Sequence, residues 1–301
     1  MKQSPLHERH LARNAKMADF GGWLMPIEYP GAGVLAEHAA VRERVGLFDV
    51  SHLGKASVVG EGALEFLNSM LTNDLTKISD GAAQYSMLCN SAGGVIDDLI
   101  VYRISDSDFF IVPNASNTSV VVADLQANAP NGITVTNLHN EYGVIALQGP
   151  LAAKVLAHFG LQIEIDYMAF TYVSIAGCDV IVCRTGYTGE YGFEVLPKWD
   201  QALTVWDALV EQVEASDGVV CGLGARDTLR TEMGYPLHGH ELSLSISPVM
   251  ASASWAVGWN KAKFQGSEVL KDQKENGVAR RLVALKSLDR GIPRPDMQVL
   301  H

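Results

Sequence analysis

Two adjacent carboxylates, Asp97 and Asp98, lie inside the otherwise apolar stretch GGVIDDLIVY at residues 93–102. A buried carboxylate is costly unless it is partnered or used, so this stretch is a candidate for acid, base or electrostatic chemistry. Side chains alternate along a strand, so we expect the two carboxylates to point to opposite faces and not to cooperate. Asp97 shares its face with Arg103, whose charge indicates that this face reaches water. The alternation therefore favours Asp98 as the buried carboxylate of the two. An aspartate satisfied by backbone N–H groups near a turn is the alternative.

A glycine-rich run, RTGYTGEYGFE at residues 184–194, lies between two predicted strands. Its glycines allow a ligand to approach the backbone, its tyrosines offer flat faces, and a carboxylate can accept paired N–H donors from a heteroaromatic ring. Glu194 alternates with Phe193 and Val195, so we expect it on the opposite face from that apolar pair. A tight hairpin with an aromatic plug is the alternative interpretation.

The run GLGARDTLR at residues 222–230 opens a predicted helix with glycines and an arginine. It is superficially similar to a dinucleotide-binding loop, but Asp227 stands where that loop needs glycine and no clear βαβ unit surrounds it. Arg226 near a helix N-terminus can meet a carboxylate, and Asp227 and Arg230 are spaced for a local ion pair. A buried salt bridge is the alternative role for Arg226.

Other reactive side chains lack the spacing that metal, redox or hydrolase chemistry needs. His238, His240 and Glu241 do not form an HExxH pattern and have no evident further ligand, so a polar loop is favoured over a metal site. Ser51 and His52 have no triad or nucleophile-elbow context. The four cysteines have no CxxC spacing and are typical of reduced core thiols.

The predicted elements that hold these side chains alternate between strands and helices. In the first half, the pattern predicts an antiparallel meander, a helix and two more strands, over residues 84–89, 95–104, 109–112, 115–127, 133–138 and 144–147. In the second half it predicts three strands and two helices, over residues 172–176, 180–185, 192–196, 202–213 and 224–234. Hairpins mixed with crossover helices indicate an α+β fold, with helices packed on antiparallel sheets.

The composition is that of a globular protein with a substantial core, because 48% of the 301 residues are hydrophobic and 19% are charged. No apolar run approaches the length that a membrane-spanning helix needs, and the N-terminus shows no apolar signal region, so a cytoplasmic location is expected. The net charge of -11 disfavours nucleic acid as a partner, although one local arginine can still bind a small anion.

Several long motifs, taken in order, resemble the aminomethyltransferase family, the T-proteins of the glycine cleavage system. The resemblance begins near Pro5 and covers nearly the whole chain. It rests on the motifs FGGWLMP (20–26), GLFDVSH (46–52), GGVIDDLIVY (93–102), TGYTGE (185–190) and GLGARDTLRTEMGYPLHG (222–239).

The resemblance implies three intertwined parts around a central folate channel, formed by residues 1–140, 141–258 and 259–301. It implies a reaction that transfers the methylene carbon from the aminomethylated lipoyl arm of the H-protein to tetrahydrofolate and releases ammonia. The enzyme is expected to be a monomer and to use no metal. It places Asp98 beside the reacting folate nitrogens and assigns Glu194 to the pterin ring. The further folate-binding positions are Tyr85, Asn114, Tyr187, Arg226, Tyr235 and Leu53, the last of which replaces a frequent methionine.

The chain departs from the family near its end. The family continues into a C-terminal β-barrel with a TSG...SPT motif and an arginine near the terminus, and we expect that domain to be largely missing. A strand predicted over residues 281–285 would then expose an edge. Two alternatives stay open, a folate-dependent demethylase of a sulfonium or N-methyl donor and a non-enzymatic folate-binding paralogue. Residues 263–268 lack the Lys-Gly-Cys segment that marks the iron–sulfur assembly factor of this fold, which counts against the second.

Overall fold

The computed structural model describes residues 1–31, 33–291 and 297–298. Within them the chain forms three sheets and eight α-helices. The strands are β1 (Lys2–Gln3), β2 (Lys16–Phe20), β3 (Trp23–Glu28), β4 (Gly46–Asp49), β5 (Ala56–Val59), β6 (Ala83–Cys89), β7 (Val95–Ser105), β8 (Asp108–Pro113), β9 (Thr134–Asn137), β10 (Ile145–Gln148), β11 (Phe170–Ile175), β12 (Cys178–Cys183), β13 (Gly192–Pro197) and β14 (Val219–Cys221). The helices are α1 (His7–Ala12), α2 (Gly33–Glu43), α3 (Ala63–Met70), α4 (Thr118–Asn128), α5 (Ala152–Ala157), α6 (Ala202–Ala215), α7 (Leu223–Glu232) and α8 (Ser267–Asn276).

A five-stranded sheet, in the order β6-β7-β8-β5-β9, contains the carboxylate stretch. The predicted meander is present as β6, β7 and β8, and each of its pairs is antiparallel. Pairing of Leu99 with Pro113 brings the residue that follows β8, Asn114, close to Asp98 on β7. The register of this sheet therefore delivers an amide side chain to the carboxylates.

The two faces of this sheet have different neighbours. One face packs against α3 and α4 and buries Val58, Leu67, Leu88, Leu99, Val101, Phe109, Ile111, Val121 and Leu125. Burial of each large aliphatic side chain contributes about 1.5–3 kcal/mol, so these helices hold the sheet firmly in place. On the other face, Tyr102 and Phe110 pack with Phe48 and Ala146 of the second large sheet.

A six-stranded sheet, in the order β11-β12-β13-β10-β4-β14, carries the glycine-rich run between β12 and β13. Its strands pair antiparallel except β4 and β14, which are parallel. Helices α5 and α6 cover one face, where Trp206 and Leu209 are fully buried. Strand β4 comes from the N-terminal part of the chain, so early residues complete a sheet that later residues mainly form. The predicted α+β fold with antiparallel sheets and packed helices is confirmed.

Helix α7 begins directly after β14, at the run GLGARDTLR. Gly222 is required there, because a Cβ atom would lie 2.2 Å from the carbonyl oxygen of Ile27. The predicted ion pair between Arg230 and Asp227 forms, with 2.8 Å between Arg230 Nε and Asp227 Oδ1. This close docking of α7 on β3 fixes the direction from which its arginines approach the sheets.

The described part of the C-terminal segment forms α8 and then continues to residue 291 without a further helix or strand. The prediction of a strand over residues 281–285 was wrong, because no described strand offers that segment a hydrogen-bonded ladder; the amide of Leu282 instead donates to Met250 O at 2.7 Å. The four cysteines are buried and free, as their spacing predicted. In the described ranges, no helix is long and apolar enough to cross a bilayer.

Candidate active site

A cavity of about 460 Å³ is lined by residues from both larger sheets, from α7 and from the loop that follows α7. The structure brings to its wall every residue that the sequence assigned to catalysis or folate binding, namely Leu53, Tyr85, Asp98, Asn114, Tyr187, Glu194, Arg226 and Tyr235. These residues come from positions up to 182 apart in the chain, so only the docking of the two sheets brings them together.

Asp98 accepts hydrogen bonds from two neighbouring side chains. Tyr85 Oη donates to Asp98 Oδ2 at 3.0 Å, and Asn114 Nδ2 donates to Asp98 Oδ1 at 2.8 Å. Burial raises the pKa of Asp98 above its usual range, and these two hydrogen bonds oppose the rise. A carboxylate with a raised pKa accepts a proton near neutral pH more readily than an exposed one.

The prediction that Asp97 faces water was wrong. Asp97 is 0% exposed, and its face of β7 carries the core residues Leu99 and Val101. Arg103 shares that face but lies near the end of the strand, where its Nε donates to Asp80 Oδ1 at 2.9 Å. A long arginine side chain at a strand end can reach the surface from a buried face. The presence of Arg103 therefore does not show that the rest of the face is exposed to solvent.

The two carboxylates also interact, against the prediction that they would not cooperate. Asn114 Nδ2 lies 2.9 Å from Asp97 Oδ1 and 2.8 Å from Asp98 Oδ1, so one amide donates to both. Burial raises the pKa of Asp97, and the negative charge of Asp98 raises it further. The alternation does send the side chains to different faces, but Asn114 follows the neighbouring strand, from which its amide reaches both.

Glu194 lies on the cavity side of β13, as its alternation with Phe193 and Val195 predicted. Phe193 and Val195 are fully buried in the core beneath α5 and α6. Thr185 Oγ1 donates to Glu194 Oε2 at 2.5 Å, which orients the carboxylate and leaves further lone pairs for a ligand.

The Arg226 guanidinium enters the cavity wall from α7. Its carbon Cζ lies 4.7 Å from the centroid of the Tyr187 ring. Its Nη1 is buried and has no hydrogen-bond partner among the described residues, so the buried salt bridge considered for it does not form there. Burial lowers the pKa of Arg226, and the charge of Glu194 opposes that change. Native proteins rarely leave a buried donor unpaired, so this atom, at the cavity wall, can take an acceptor from a water molecule or a ligand.

Aromatic rings provide two flat walls. Tyr187 stacks on Tyr235 with 5.8 Å between ring centroids, and the Tyr187 hydroxyl donates to the Pro236 carbonyl. Tyr85 stacks on Trp255 with 5.1 Å between centroids. Leu53 adds apolar wall. The cavity is therefore suited to a flat, partly polar ring system.

Sequence reasoning missed Thr185, Trp255 and the structural role of His238. Thr185 lies in the same glycine-rich run as Glu194, which is a signal that could have pointed to it as a cavity residue. Trp255 lies outside every motif of the sequence analysis. The sequence left a metal site at His238 as the less favoured alternative to a polar loop. His238 instead faces Asn117 and the backbone of Val95, and no cluster of metal-binding side chains occurs in the part of the chain that the structure describes.

The chain is similar to proteins of a known family. Residues 6–261 match the family described as GCVT N-terminal domain. An aminomethyltransferase from Parafrankia sp. (strain EAN1pec) is 58% identical over 299 residues, which cover 99% of this chain and 82% of the relative. An aminomethyltransferase from Mycobacterium tuberculosis (strain ATCC 25618 / H37Rv) is 56% identical over 296 residues, which cover 98% of this chain and 80% of the relative.

A solved structure shows the same fold. The crystal structure of the glycine cleavage system aminomethyltransferase T from Bartonella henselae superimposes with a TM-score of 0.85 at 37% sequence identity. The match covers 92% of this chain and 75% of that chain. By its sequence, its fold and its match to the family profile, this chain belongs to the aminomethyltransferase family of the glycine cleavage system.

Proposed function

We propose that this chain transfers the methylene carbon of an aminomethyl group, carried on the lipoyl arm of the H-protein, to tetrahydrofolate with release of ammonia. One observation carries the proposal: a single cavity holds a half-buried carboxylate at Asp98, a second carboxylate at Glu194 and, at Arg226, a cationic donor whose Nη1 has no partner among the described residues. The family membership of the chain supports the choice of tetrahydrofolate as the co-substrate.

Glu194 and Arg226 are the groups that we assign to the pterin ring. A pterin presents adjacent N–H donors along one edge, and a carboxylate can accept two of them at once. Thr185 holds the Glu194 carboxylate at 2.5 Å, so the acceptor is oriented before the ligand arrives. The buried Nη1 of Arg226 would meet a pterin carbonyl oxygen, which would satisfy its missing hydrogen bond.

Asp98 is the group that we assign to the reacting nitrogens. Two folate nitrogens form bonds to the methylene carbon, whose bonds to the amine nitrogen and to the lipoyl sulfur break. Ammonia and the lipoyl thiol leave, and the attacking nitrogens lose the two protons that these leaving groups gain. A carboxylate there can orient the amine, accept one of these protons and stabilise the iminium-like cation that develops. The pKa of Asp98, which burial raises, suits a proton acceptor that works near neutral pH.

The deciding experiment is turnover with purified components. Aminomethylated H-protein, a sulfonium donor and an N-methyl donor would each be offered with tetrahydrofolate, and ammonia and methylated or methylene folate would be measured. We expect tetrahydrofolate-dependent ammonia release only when aminomethylated H-protein is the donor. Turnover only with the other donors would make the chain a demethylase, and folate binding without turnover on any donor would make it a non-enzymatic folate-binding protein.

A further inference from the structure

A network of hydrogen bonds extends from Asp98 into the protein, behind the cavity. Asn114 donates from Nδ2 to Asp98 and Asp97, and its backbone N–H donates to Asp97 Oδ2 at 2.9 Å. Asn117 Nδ2 donates to Asp97 Oδ1 at 2.7 Å. Asp97, which is fully buried, therefore accepts three N–H donors on its two oxygens.

His238 completes this network at the edge of the cavity. Its Nδ1 lies 3.0 Å from Asn117 Nδ2, and its Nε2 lies 3.0 Å from the Val95 carbonyl oxygen. An amide nitrogen can only donate and a carbonyl oxygen can only accept, so these contacts assign a neutral imidazole with its proton on Nε2. Acceptors on both sides of the Asn117 amide, at His238 and at Asp97, fix its orientation.

The two carboxylates of the network are not equivalent. The three donors at Asp97 favour its ionised form, because a hydrogen bond to a carboxylate is stronger than one to a neutral carboxyl group. Asp98 accepts from Tyr85, whose hydroxyl can rotate, and it faces the cavity, where a proton can arrive. These donors oppose the rise in the pKa of Asp97 that burial and the charge of Asp98 cause, whereas Asp98 is the carboxylate that a proton from the cavity can reach.

We propose that Asp97 is a positioning residue for Asp98, that it acts through the shared Asn114 amide and its own negative charge, and that Asn117 and His238 hold it in its ionised form. This inference rests on the proposed role of Asp98 in the transfer reaction. The fixed charge of Asp97 makes Asp98 a stronger base, since a neighbouring anion disfavours a second one. The shared amide aims Asp98 Oδ1 at a constant position.

Three further titratable groups face the two carboxylates. Tyr85 donates to Asp98 from β6, Tyr187 lies across the cavity, and His238 lies in the loop after α7. Burial raises the pKa values of both tyrosines well above neutral, so neither ionises in the range where the carboxylates titrate. Changes in a carboxyl titration between pH 5 and pH 8 would thus not report these tyrosines.

The test is the titration of Asp98 in the unliganded protein, followed by ¹³C NMR of labelled aspartate carboxyls. In Asp97→Asn the neighbouring charge is lost, so we expect Asp98 to titrate about one pH unit lower. In Asn117→Ala, Asp97 loses one donor and becomes easier to protonate, so we expect a smaller shift in the same direction. Asn117 does not line the cavity, and this variant carries the test if Asp97→Asn does not fold.

The matched control is Asn128→Ala, at the other end of α4. Asn128 also donates to a carboxylate, Asp124, at 3.2 Å, but on the exposed surface, so we expect the Asp98 titration to stay unchanged. An Asp98 titration in Asn117→Ala and in Asp97→Asn that coincides with that of the parent protein would overturn the proposal.

Kinetics supply the second readout. In Asp97→Asn we expect kcat to fall about tenfold and its acid limb to move to lower pH, while KM for tetrahydrofolate stays within about twofold. A parallel loss of kcat and folate affinity with an unshifted pH profile would show a structural role and sink the inference. The NMR titration needs no substrate, so absence of turnover in the parent protein would defeat the proposed function while this inference is still tested.

Discussion

Three charged side chains of the cavity come from three different elements: Asp98 from β7, Glu194 from β13 and Arg226 from α7. Each has a distinct state of hydrogen bonding. Asp98 has two side-chain donors, Glu194 has one, and Arg226 Nη1 has no partner among the described residues. The number of unfilled hydrogen-bonding positions therefore increases from Asp98, the proposed base, towards Glu194 and Arg226, the proposed pterin site. A polar ligand would form its most favourable hydrogen bonds there.

Replacement of Asp98 by asparagine should separate chemistry from binding. Asp98→Asn keeps the size of the side chain but removes its ability to accept a proton, so we expect ammonia release to fall by about 10²- to 10⁴-fold. Tetrahydrofolate should still bind, which titration calorimetry would show. Asp108→Asn, on the neighbouring strand β8 and away from the cavity wall, is the control and should keep full activity. Full activity in Asp98→Asn would contradict the assignment.

Removal of the Glu194 carboxylate should weaken folate binding. A hydrogen bond to a charged group contributes about 1.5–3 kcal/mol, so Glu194→Ala should reduce the affinity for tetrahydrofolate by about 10- to 100-fold. Thr185→Val removes only the hydroxyl that orients the carboxylate and should cost less. Calorimetric titration of both variants checks the order. An unchanged affinity in Glu194→Ala would place the pterin elsewhere.

The elements position the site through packing on the faces away from the cavity. Helix α6 buries Leu209 and Trp206 against the six-stranded sheet, while Leu203 on the same helix is 38% exposed. The predicted amphipathic pattern over 202–213 thus matches the observed helix, Ala202–Ala215. Because α6 packs on the sheet away from the cavity, its contribution should appear in stability before it appears in catalysis.

A substitution in α6 tests this division. Leu209→Ala leaves a cavity in a fully buried position and should lower the free energy of unfolding by about 2–5 kcal/mol. Leu203→Ala, on the exposed side, should change it by no more than about 0.5 kcal/mol. Urea denaturation measures both. Equal effects of the two substitutions would show that α6 does not pack as described.

At the scale of the whole molecule, the cavity is lined by residues between Phe20 and Trp255, from both larger sheets, from α7 and from neighbouring loops. Described residues of the expected C-terminal part, 259–301, pack against the five-stranded sheet but do not line the cavity. Leu270 of α8 and Phe264 before it are buried with Met87 of β6, which pairs with Asp98, and with Val95 of β7. The division of the chain at residues 140 and 258 stays a prediction, and the same holds for its monomeric state.

Acid should destabilise the whole molecule through a buried histidine. Burial lowers the pKa of His52 to about 3, whereas an unfolded histidine titrates near 6.5. Between these values the unfolded chain binds the additional proton, so stability increases with pH and is lost as pH falls below about 6.5. The loss should approach about 1.4 kcal/mol per pH unit. Urea denaturation at pH 7, 6 and 5 checks the slope.

The control for this prediction is a side chain of similar shape that does not titrate. His52→Gln should be less stable at pH 7 but should flatten the dependence on pH between 6 and 5, because the folded and unfolded states then differ by fewer protons. An identical slope in the variant and the parent protein would assign the acid sensitivity to other groups.

The sequence by itself determined the family, the α+β fold, the free thiols, the position of Glu194 opposite its apolar neighbours and the ion pair of Asp227 with Arg230. Each of these depends on residue order or on periodicity along one element, which local physics fixes. The predicted strand over 281–285 failed because a strand needs a partner that local pattern does not supply.

Only the tertiary structure decided which face of β7 is buried and what surrounds its carboxylates. The alternation of side chains is the same whichever face meets the core, so Asp97 could be placed only once α3 and α4 had docked. The shared Asn114 amide, the stacking of Trp255 on Tyr85 and the position of Arg226 over Tyr187 all depend on contacts between segments that are separate in the sequence. Such contacts follow from strand register and sheet docking, which no single stretch of sequence encodes.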